Sequence, residues 1–538
     1  MKSTKLPIMF NSGHRFLLCG SLLLAAIYVY FFYDKTAGIS VPLFAVLLFA
    51  AFGRFNRLSR KNRSSHRAEA AANLLFLVPA GLLALTYALY TNPMFRVLNF
   101  WVMIMLAGAY TVIVSGKSDH RWFEWKFAGN VLHHLIPAVL RSVPVPFLLT
   151  AHLLSSGTRS GASSEQNNEL SGKGGVRPIA KRIGLGLVIS FLPLIVVILL
   201  LASADMMFAE MLDGIPEYFL EWNVPDAAGR LFLFITVALY LFCYGWGLAV
   251  SDDADKNGNI ATESAKAVRR FDPVVTGTVL LMLNSVYVCF AAIQFSYFFS
   301  AGDGALPIGS SYAEYARRGF AELVMVTVIN LSIVLIVLRH LKREPGAGGG
   351  HITTRLLLTL IVGATGVMLV SAFLRLTLYE EAHGFTTTRI LVHAFMIYLA
   401  ILFLVAFVQV WRSQGSIIRM YIILSIAAYV AVNYMNVDKM VAERNVARYE
   451  VSGKIDTYYL YNLSYDAIPA LMKLYRSENK PPDLTWLLND KKKFLQTQQI
   501  SWTSWNASVA WAKRQLNAES FKENLYMPET QVRGKRDY

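Results

Sequence analysis

Residues 390–410 read ILVHAFMIYLAILFLVAFVQV, twenty-one positions with no Asp, Glu, Lys or Arg among them. At 1.5 Å of rise per residue a helix of that length covers about 31 Å, which matches the ~30 Å hydrocarbon core of a bilayer. Ten further runs have the same character. They are Phe16–Tyr33, Ala37–Gly53, Ala71–Tyr90, Val97–Ser115, Ile183–Ser203, Leu231–Val250, Val274–Ser300, Ala321–Leu338, Leu356–Leu374 and Met420–Met435. Lipid offers no partner to a peptide N–H or C=O, so each run is expected as a helix. The composition agrees: 55% of the 538 residues are hydrophobic and only 16% are charged, a balance foreign to soluble domains. The fold class is therefore all-α, a polytopic bundle of about eleven spans with a small helical extracytoplasmic tail.

The loops between runs fall into two alternating sets. Residues 1–15, 54–70, 116–182, 251–273, 339–355 and 411–419 hold 28 Lys and Arg, whereas 34–36, 91–96, 204–230, 301–320 and 375–389 hold 7. Under the positive-inside rule the first set, with the N-terminus, faces the cytoplasm, and eleven crossings place the C-terminus outside. The first run is read as a retained helix, since no clear small-residue cleavage site follows it. Residues 131–154 are apolar but carry His133, His134, Arg141 and three prolines, so they are expected as an interfacial or re-entrant segment. Trp122 and Trp125, with Lys117, Arg121 and Lys126, read as an aromatic–basic anchor at the inner interface.

Four parts follow from this. Residues 1–115 form a four-helix membrane part, 116–182 an interfacial segment and linker, 183–435 a seven-helix core, and 436–538 the tail. The linker is the Gly/Ser/Asn-rich run 155–175, with a shorter break at Pro345–Gly350. In the tail, Asn436 is placed to cap a helix reaching about Tyr449, and a second helix follows Asp466. Trp502, Trp505, Val509 and Ala512 have the spacing of one face of a third. The net charge of +16 is spread over membrane loops and the tail, which argues for a lipid surface rather than a nucleic acid. Cys19, Cys243 and Cys289 all lie inside apolar runs and read as small hydrophobes. No Walker A, Rossmann, HExxH or GxSxG pattern occurs in a fitting context, and His133-His134 lacks further ligands, so no cofactor, metal or catalytic residue is assigned.

Chemistry is sought where polar groups enter or border the spans, because lipid makes them costly. Ser311 followed by Glu314 is a capping box that starts the eighth span. Glu314, Arg318 and Glu322 then share a helix face. Tyr312, Glu314, Tyr315, Arg317 and Arg318 are candidate residues of an outward-facing anionic or polar headgroup pocket, against a bland surface ion-pair chain. A second group comprises Arg375, Tyr379, Glu380, Glu381, His383, Arg389 and His393, with Gly384 suited to a tight turn. It reads either as a salt-bridged hairpin or as a site in which Glu380 or Glu381 works with His383 as proton carriers. Asp205, at the outer end of the fifth run, and the intramembrane Asn284, Gln294 and Asn330 complete the set.

Several separated motifs keep a common order. They are Ala202-Ser203-Ala204-Asp205, the run Ser311 to Phe320, the spacing of Arg375, Tyr379, Gly384, Thr386 and Arg389, Asn436-Val437-Asp438 leading to Ala447-Arg448-Tyr449, and Asp466 to Leu471. Over about residues 180–475 they resemble the bacterial integral membrane proteins grouped as a domain of unknown function numbered 4173, near 4153. The chain has Asn436-Val437-Asp438 where the family pattern has Asn-Pro-Asp. The resemblance implies a multi-spanning bacterial inner-membrane protein and transfers no catalytic residue.

The leading expectation is transport or export of a polar or lipid-linked envelope compound through the seven-helix part. Arg317, Arg318, Arg375, Glu380 and Arg389 would then converge on one water-filled cavity. The alternatives are a non-catalytic signalling or scaffold protein whose tail binds a protein partner around an exposed Trp502 and Trp505, and a membrane enzyme acting on an envelope lipid. The expected partners are the bilayer itself and such a substrate, with no nucleic acid.

Overall fold

A computed structural model describes residues 12–59, 67–118, 120–146, 226–249, 272–300, 320–340, 350–412, 416–498 and 501–521. The run Ile183–Ser203, the linker 155–175, Asp205, Tyr312, Glu314, Tyr315, Arg317 and Arg318 lie outside the described residues, and of Gln294 only the helical backbone is described. Among the described residues there is no strand.

Ten of the eleven expected runs are helices: α1 (Ser12–Phe32), α2 (Ser40–Ser59), α3 (Arg67–Leu89), α4 (Pro93–Ser115) and, after two short helices α5 (Trp125–Leu135) and α6 (Pro137–Ser142), α7 (Asp226–Ala249), α8 (Pro273–Ser300), α9 (Phe320–His340), α10 (Gly350–His383), α11 (Thr387–Trp411) and α12 (Ile417–Tyr434). Seven of them, α4 and α7 to α12, are long and apolar enough to cross a membrane. The apolar stretches within α1, α2 and α3 are Phe16–Phe32, Ser40–Asn56 and Leu74–Leu89. This is a membrane protein. Large side chains such as Leu23, Val46, Met282, Val286, Met325 and Leu404 stand exposed on these helices, the pattern of a lipid-facing surface.

Chain contacts divide the molecule into two units, Met1–Ser142 with Phe242–Tyr538, and Val143–Leu241. All the geometry below lies in the first. There α1 to α4 pack as neighbouring hairpins, and α8, α9 and α11 gather around α10. Leu323, Met368, Leu376, Met396 and Phe403 are buried between α9, α10 and α11, and Leu280, Val334, Leu358, Ile361 and Ala406 extend that core toward α8. Residues 125–142 form helices of 11 and 6 residues, each too short to span. Phe127, Val131 and Leu135 on one face of α5 are buried, and Gly108 of α4 comes against Val131 and Leu135. Trp125 stays exposed while Trp122 meets the edge of Phe76.

The tail builds a core of its own from α13 (Val437–Ser452), α14 (Thr457–Asn462), α15 (Ile468–Tyr475), α16 (Pro482–Thr497) and α17 (Ala507–Asn517). Val441, Leu460, Ile468, Leu471, Leu484, Leu488 and Leu516 fill it. The Asn436 side chain caps α13 by accepting from the Lys439 N–H, as its position predicts. The aromatic face expected of the third helix is corrected: Trp502 lies in a 3₁₀ turn, Trp505 follows it, and only after the Asn506 cap does α17 begin. Asn506 competes for the chain there, because its side-chain oxygen takes the Val509 N–H.

Candidate functional site

Two polar clusters stand out. The first lies where α10 turns into α11. The end of α10 carries Tyr379, Glu380, Glu381 and His383, and the turn is made at Gly384, whose φ is +86°. A side chain there would meet Asn445 Oδ1 at 3.0 Å, so glycine is required twice over. Thr386 caps α11 by accepting from the Arg389 N–H, which aims His393 back at α10. Its Nε2 lies 3.1 Å from Glu380 Oε2, and Glu380 is 2% exposed. His393 also packs on the Phe373 ring at 4.3 Å. Glu380 Oε1 and His393 Nδ1 are buried with no hydrogen-bond partner among the described residues.

The sequence paired the carboxylates with His383; the geometry selects Glu380 with His393. Glu381 and His383 are exposed, and His383 stacks on Tyr379 at 4.5 Å. Arg389 covers the other reach of Tyr379, its guanidinium 4.5 Å from the ring centre, and donates to the Gly384 carbonyl. Tyr379, Glu380, His383, Arg389 and His393 therefore come together, with Arg375 half-buried on the same helix. Asn284 and Asn330 lie elsewhere and join helices. Asn284 donates to the Leu357 carbonyl of α10 at 3.0 Å. Tyr287 donates to Asn330 Oδ1 at 2.6 Å, and Asn330 Nδ2 to Thr365 Oγ1 at 2.9 Å. Asn330 thereby satisfies both ends of its amide in-protein, whereas Asn284 Oδ1 stays buried with no hydrogen-bond partner among the described residues.

The second cluster was not legible as a site, and it ties the tail to three helix turns. Asp438, 3% exposed, accepts from Asn92 Nδ2 at 2.9 Å through Oδ1 and from the Ser464 N–H at 3.1 Å through Oδ2, with the Thr387 hydroxyl 3.4 Å away. Asp466 accepts from the Thr91 N–H at 2.9 Å. Burial raises the Asp466 carboxyl above its ordinary value, and donors at Ser508, Thr91 and Ser464 pull it back part of the way. Asn506 donates to the Tyr87 and Tyr90 carbonyls at the end of α3. Asn445 exchanges two bonds with the Phe385 backbone, at 3.0 and 2.7 Å. Arg448 donates to the Glu381 and Ala382 carbonyls and so closes the C-terminus of α10. Beneath this layer Asn99 donates to Thr86 Oγ1 and Asn433 Oδ1 and accepts from Tyr429, joining α3, α4 and α12. A cavity lined by Asn92, Arg96, Asn99, Asn433, Asn436 and Asp466 encloses about 20 Å³, the size of a water molecule rather than of a substrate.

On α5, His133 and His134 meet edge to face at 5.5 Å, and no group of three or more His, Cys, Asp or Glu among the described residues could hold a metal.

The model of the family described as Domain of unknown function (DUF4153) matches residues 77–474. The chain belongs to this family. The match opens inside α3, so it takes in most of the second hairpin of the four-helix part as well as Glu380, His393, Asp438 and Asp466, a wider span than the motifs alone covered. It ends at Leu474, within α15, leaving α16, the Trp502 turn and α17 beyond the matched residues. No curated protein and no solved structure matches the chain.

Proposed function

We propose that this DUF4153 protein is a multi-pass protein of the bacterial plasma membrane that moves a polar or lipid-linked envelope compound toward the outer face. In this reading Glu380 and His393 are its proton-exchanging groups. The observation that carries it is the buried pair itself: a carboxylate and an imidazole bonded at 3.1 Å between two spanning helices, each keeping one buried polar atom without a partner among the described residues. Ionisable groups are costly inside a membrane bundle and point by default to a proton or substrate path, and an imidazole can exchange a proton near neutral pH. Arg389 and Arg375 would supply positive charge to an anionic cargo at the same turn. Kinship with the neighbouring group numbered 4173 belongs to this reading, on the run from Asp466 to Leu471 and the other ordered motifs.

The orientation, N-terminus inside and tail outside, rests on the fourfold Lys/Arg bias. It is supported by the tail's hydrogen bonds to residues at 39, 91–92 and 385–387, which all border loops of the basic-poor set. The four crossings expected between residues 116 and 350 would return the chain to the side it left, in keeping with those shared contacts.

The test is complementation of a deletion strain, read as the envelope's lipid and polymer profile with protein abundance measured alongside. Glu380→Gln and His393→Gln are expected to leave the deletion profile unrepaired at normal abundance, and Glu381→Gln to repair it. Full repair by both of the first two variants overturns the proposal.

A further inference from the structure

A stripe of exposed residues on α1, Leu23, Ala26 and Tyr30, is spaced by three and four and therefore runs straight up one face toward the lipid. At its top, Tyr30 is 55% exposed and its hydroxyl receives the Trp502 Nε1–H at 3.1 Å. Trp502 also sets its edge on Phe31 at 5.9 Å between ring centres, yet remains 56% exposed. The turn that carries it is locked in place. The Ile39 N–H bonds to the Trp505 carbonyl at 2.9 Å, and the Ser504–Trp505 backbone comes so close to Gly38 that a Cβ there would lie 2.5 Å from it. Asn506, buried, ties the next residue to the end of α3. Trp505 (47% exposed) closes the turn, and Trp511 (40%) and Arg514 stand exposed on α17, which begins two residues later.

From this juxtaposition we propose that Trp502, Trp505 and Trp511, with Arg514, form a lipid-binding edge of the tail that sits in the boundary between headgroups and acyl chains. The occupant is lipid because Trp502, at one end of the patch, is bonded to the top of the exposed apolar stripe of α1. A Tyr at the end of a span marks the depth of the headgroup zone, and Trp bonded to it shares that depth. Indole suits that zone, with an apolar ring and one donor. A guanidinium beside it reaches lipid phosphate. The depth is not adjustable, since hydrogen bonds fix the turn to two helix hairpins. The edge lies beyond the residues that match the DUF4153 model.

The test uses the full-length protein in phosphatidylcholine/phosphatidylglycerol nanodiscs whose acyl chains are brominated either near the headgroup or near the bilayer centre. Replacing the three tryptophans with Phe is expected to remove emission that shallow bromines quench strongly and deep bromines weakly, with acrylamide quenching little changed. Should the triple variant not fold, Ala510→Cys carrying a nitroxide, in a background without the three native cysteines, reads the same depth. Its collision rate with oxygen is then expected to exceed that with a water-soluble nickel chelate. Preferential access by acrylamide or the nickel chelate means the edge faces water and overturns the proposal. Shielding from every quencher means that a second copy of the chain covers it, and overturns it equally.

Discussion

Removing the Asp438 carboxylate is expected to release the tail from the membrane helices. Asp438→Ala deletes the acceptor of two well-formed bonds, from Asn92 at 2.9 Å and from the Ser464 N–H at 3.1 Å, and leaves both donors in a largely closed interface. A hydrogen bond to a charged group contributes about 1.5–3 kcal/mol, so the pair contributes about 3–6 kcal/mol to docking, the 3.4 Å contact with Thr387 adding little. At 1.4 kcal/mol per factor of ten, amides protected only by docking should exchange roughly 10²- to 10⁴-fold faster. The assay is hydrogen exchange by mass spectrometry on the protein in nanodiscs, followed at peptides containing Thr91, Ser464 and Phe385. Glu450→Ala, an exposed carboxylate on the same helix, is the control and is expected to change nothing. Less than a threefold change at Thr91 and Ser464 in the Asp438 variant would refute the claim that this carboxylate holds three elements together.

Gly384→Ala places a side chain at φ +86° and 3.0 Å from Asn445 Oδ1; it should destabilise the α10–α11 turn by about 1–3 kcal/mol, visible as a lowered midpoint in thermal unfolding. Lys491 donates to the Leu463 carbonyl in the tail, and burial pushes its ammonium down from 10.5 to about 8 despite Asp438 and Asp490. The unfolded chain therefore binds one more proton between those values, and tail stability should rise with pH from about 8, by about 2 kcal/mol at pH 9.5. Above pH 10 the trend reverses for Tyr465, whose hydroxyl burial raises to about 12, so guanidinium unfolding is compared at pH 7.5 and 9.5, and Lys491→Met should flatten the difference. Asn330→Val strands the Tyr287 hydroxyl and Thr365; interhelical bonds in membranes average about 0.6 kcal/mol and reach about 1.7, so a loss of about 1–3 kcal/mol is expected, and Asn330→Gln should fall short of full rescue.

The membrane helices were legible because their signal is local. A run such as 390–410 excludes charge for as long as lipid surrounds it, and nothing further along the chain alters that. The Asn436 cap was legible for the same reason, since cap and capped N–H are three residues apart. The Glu380–His393 pair was half visible. Two antiparallel helices meeting at Gly384 bring residues on either side of the turn together, but Glu380 lies four residues before it and His393 nine after, so spacing along the chain did not single out the pair over the i+3 neighbour His383. The Asp438 cluster was not visible, because its partners lie 26 and 346 residues away and side-chain-to-backbone bonds leave no periodic trace. Trp502 and Trp505 misled because helical spacing continued across a cap that breaks the helix. The helices Thr457–Asn462 and Pro482–Thr497 escaped notice because one is only six residues long and the other carries the polar run Asn489 to Lys493 in its middle.

The hydrogen bonds that fasten the tail to the first two hairpins join residues 346 to 472 positions apart. A ribosome adding about 5–20 residues per second takes roughly 20–90 s to make the second partner after the first. Throughout that interval Asn92, the Tyr90 carbonyl and the hydroxyl of Tyr30 are already in place on inserted helices, with the tail still unsynthesised. The final shape of the first two hairpins is thus settled by a segment made long after them, so a premature stop after α12 would strand those hairpins in an unfinished state.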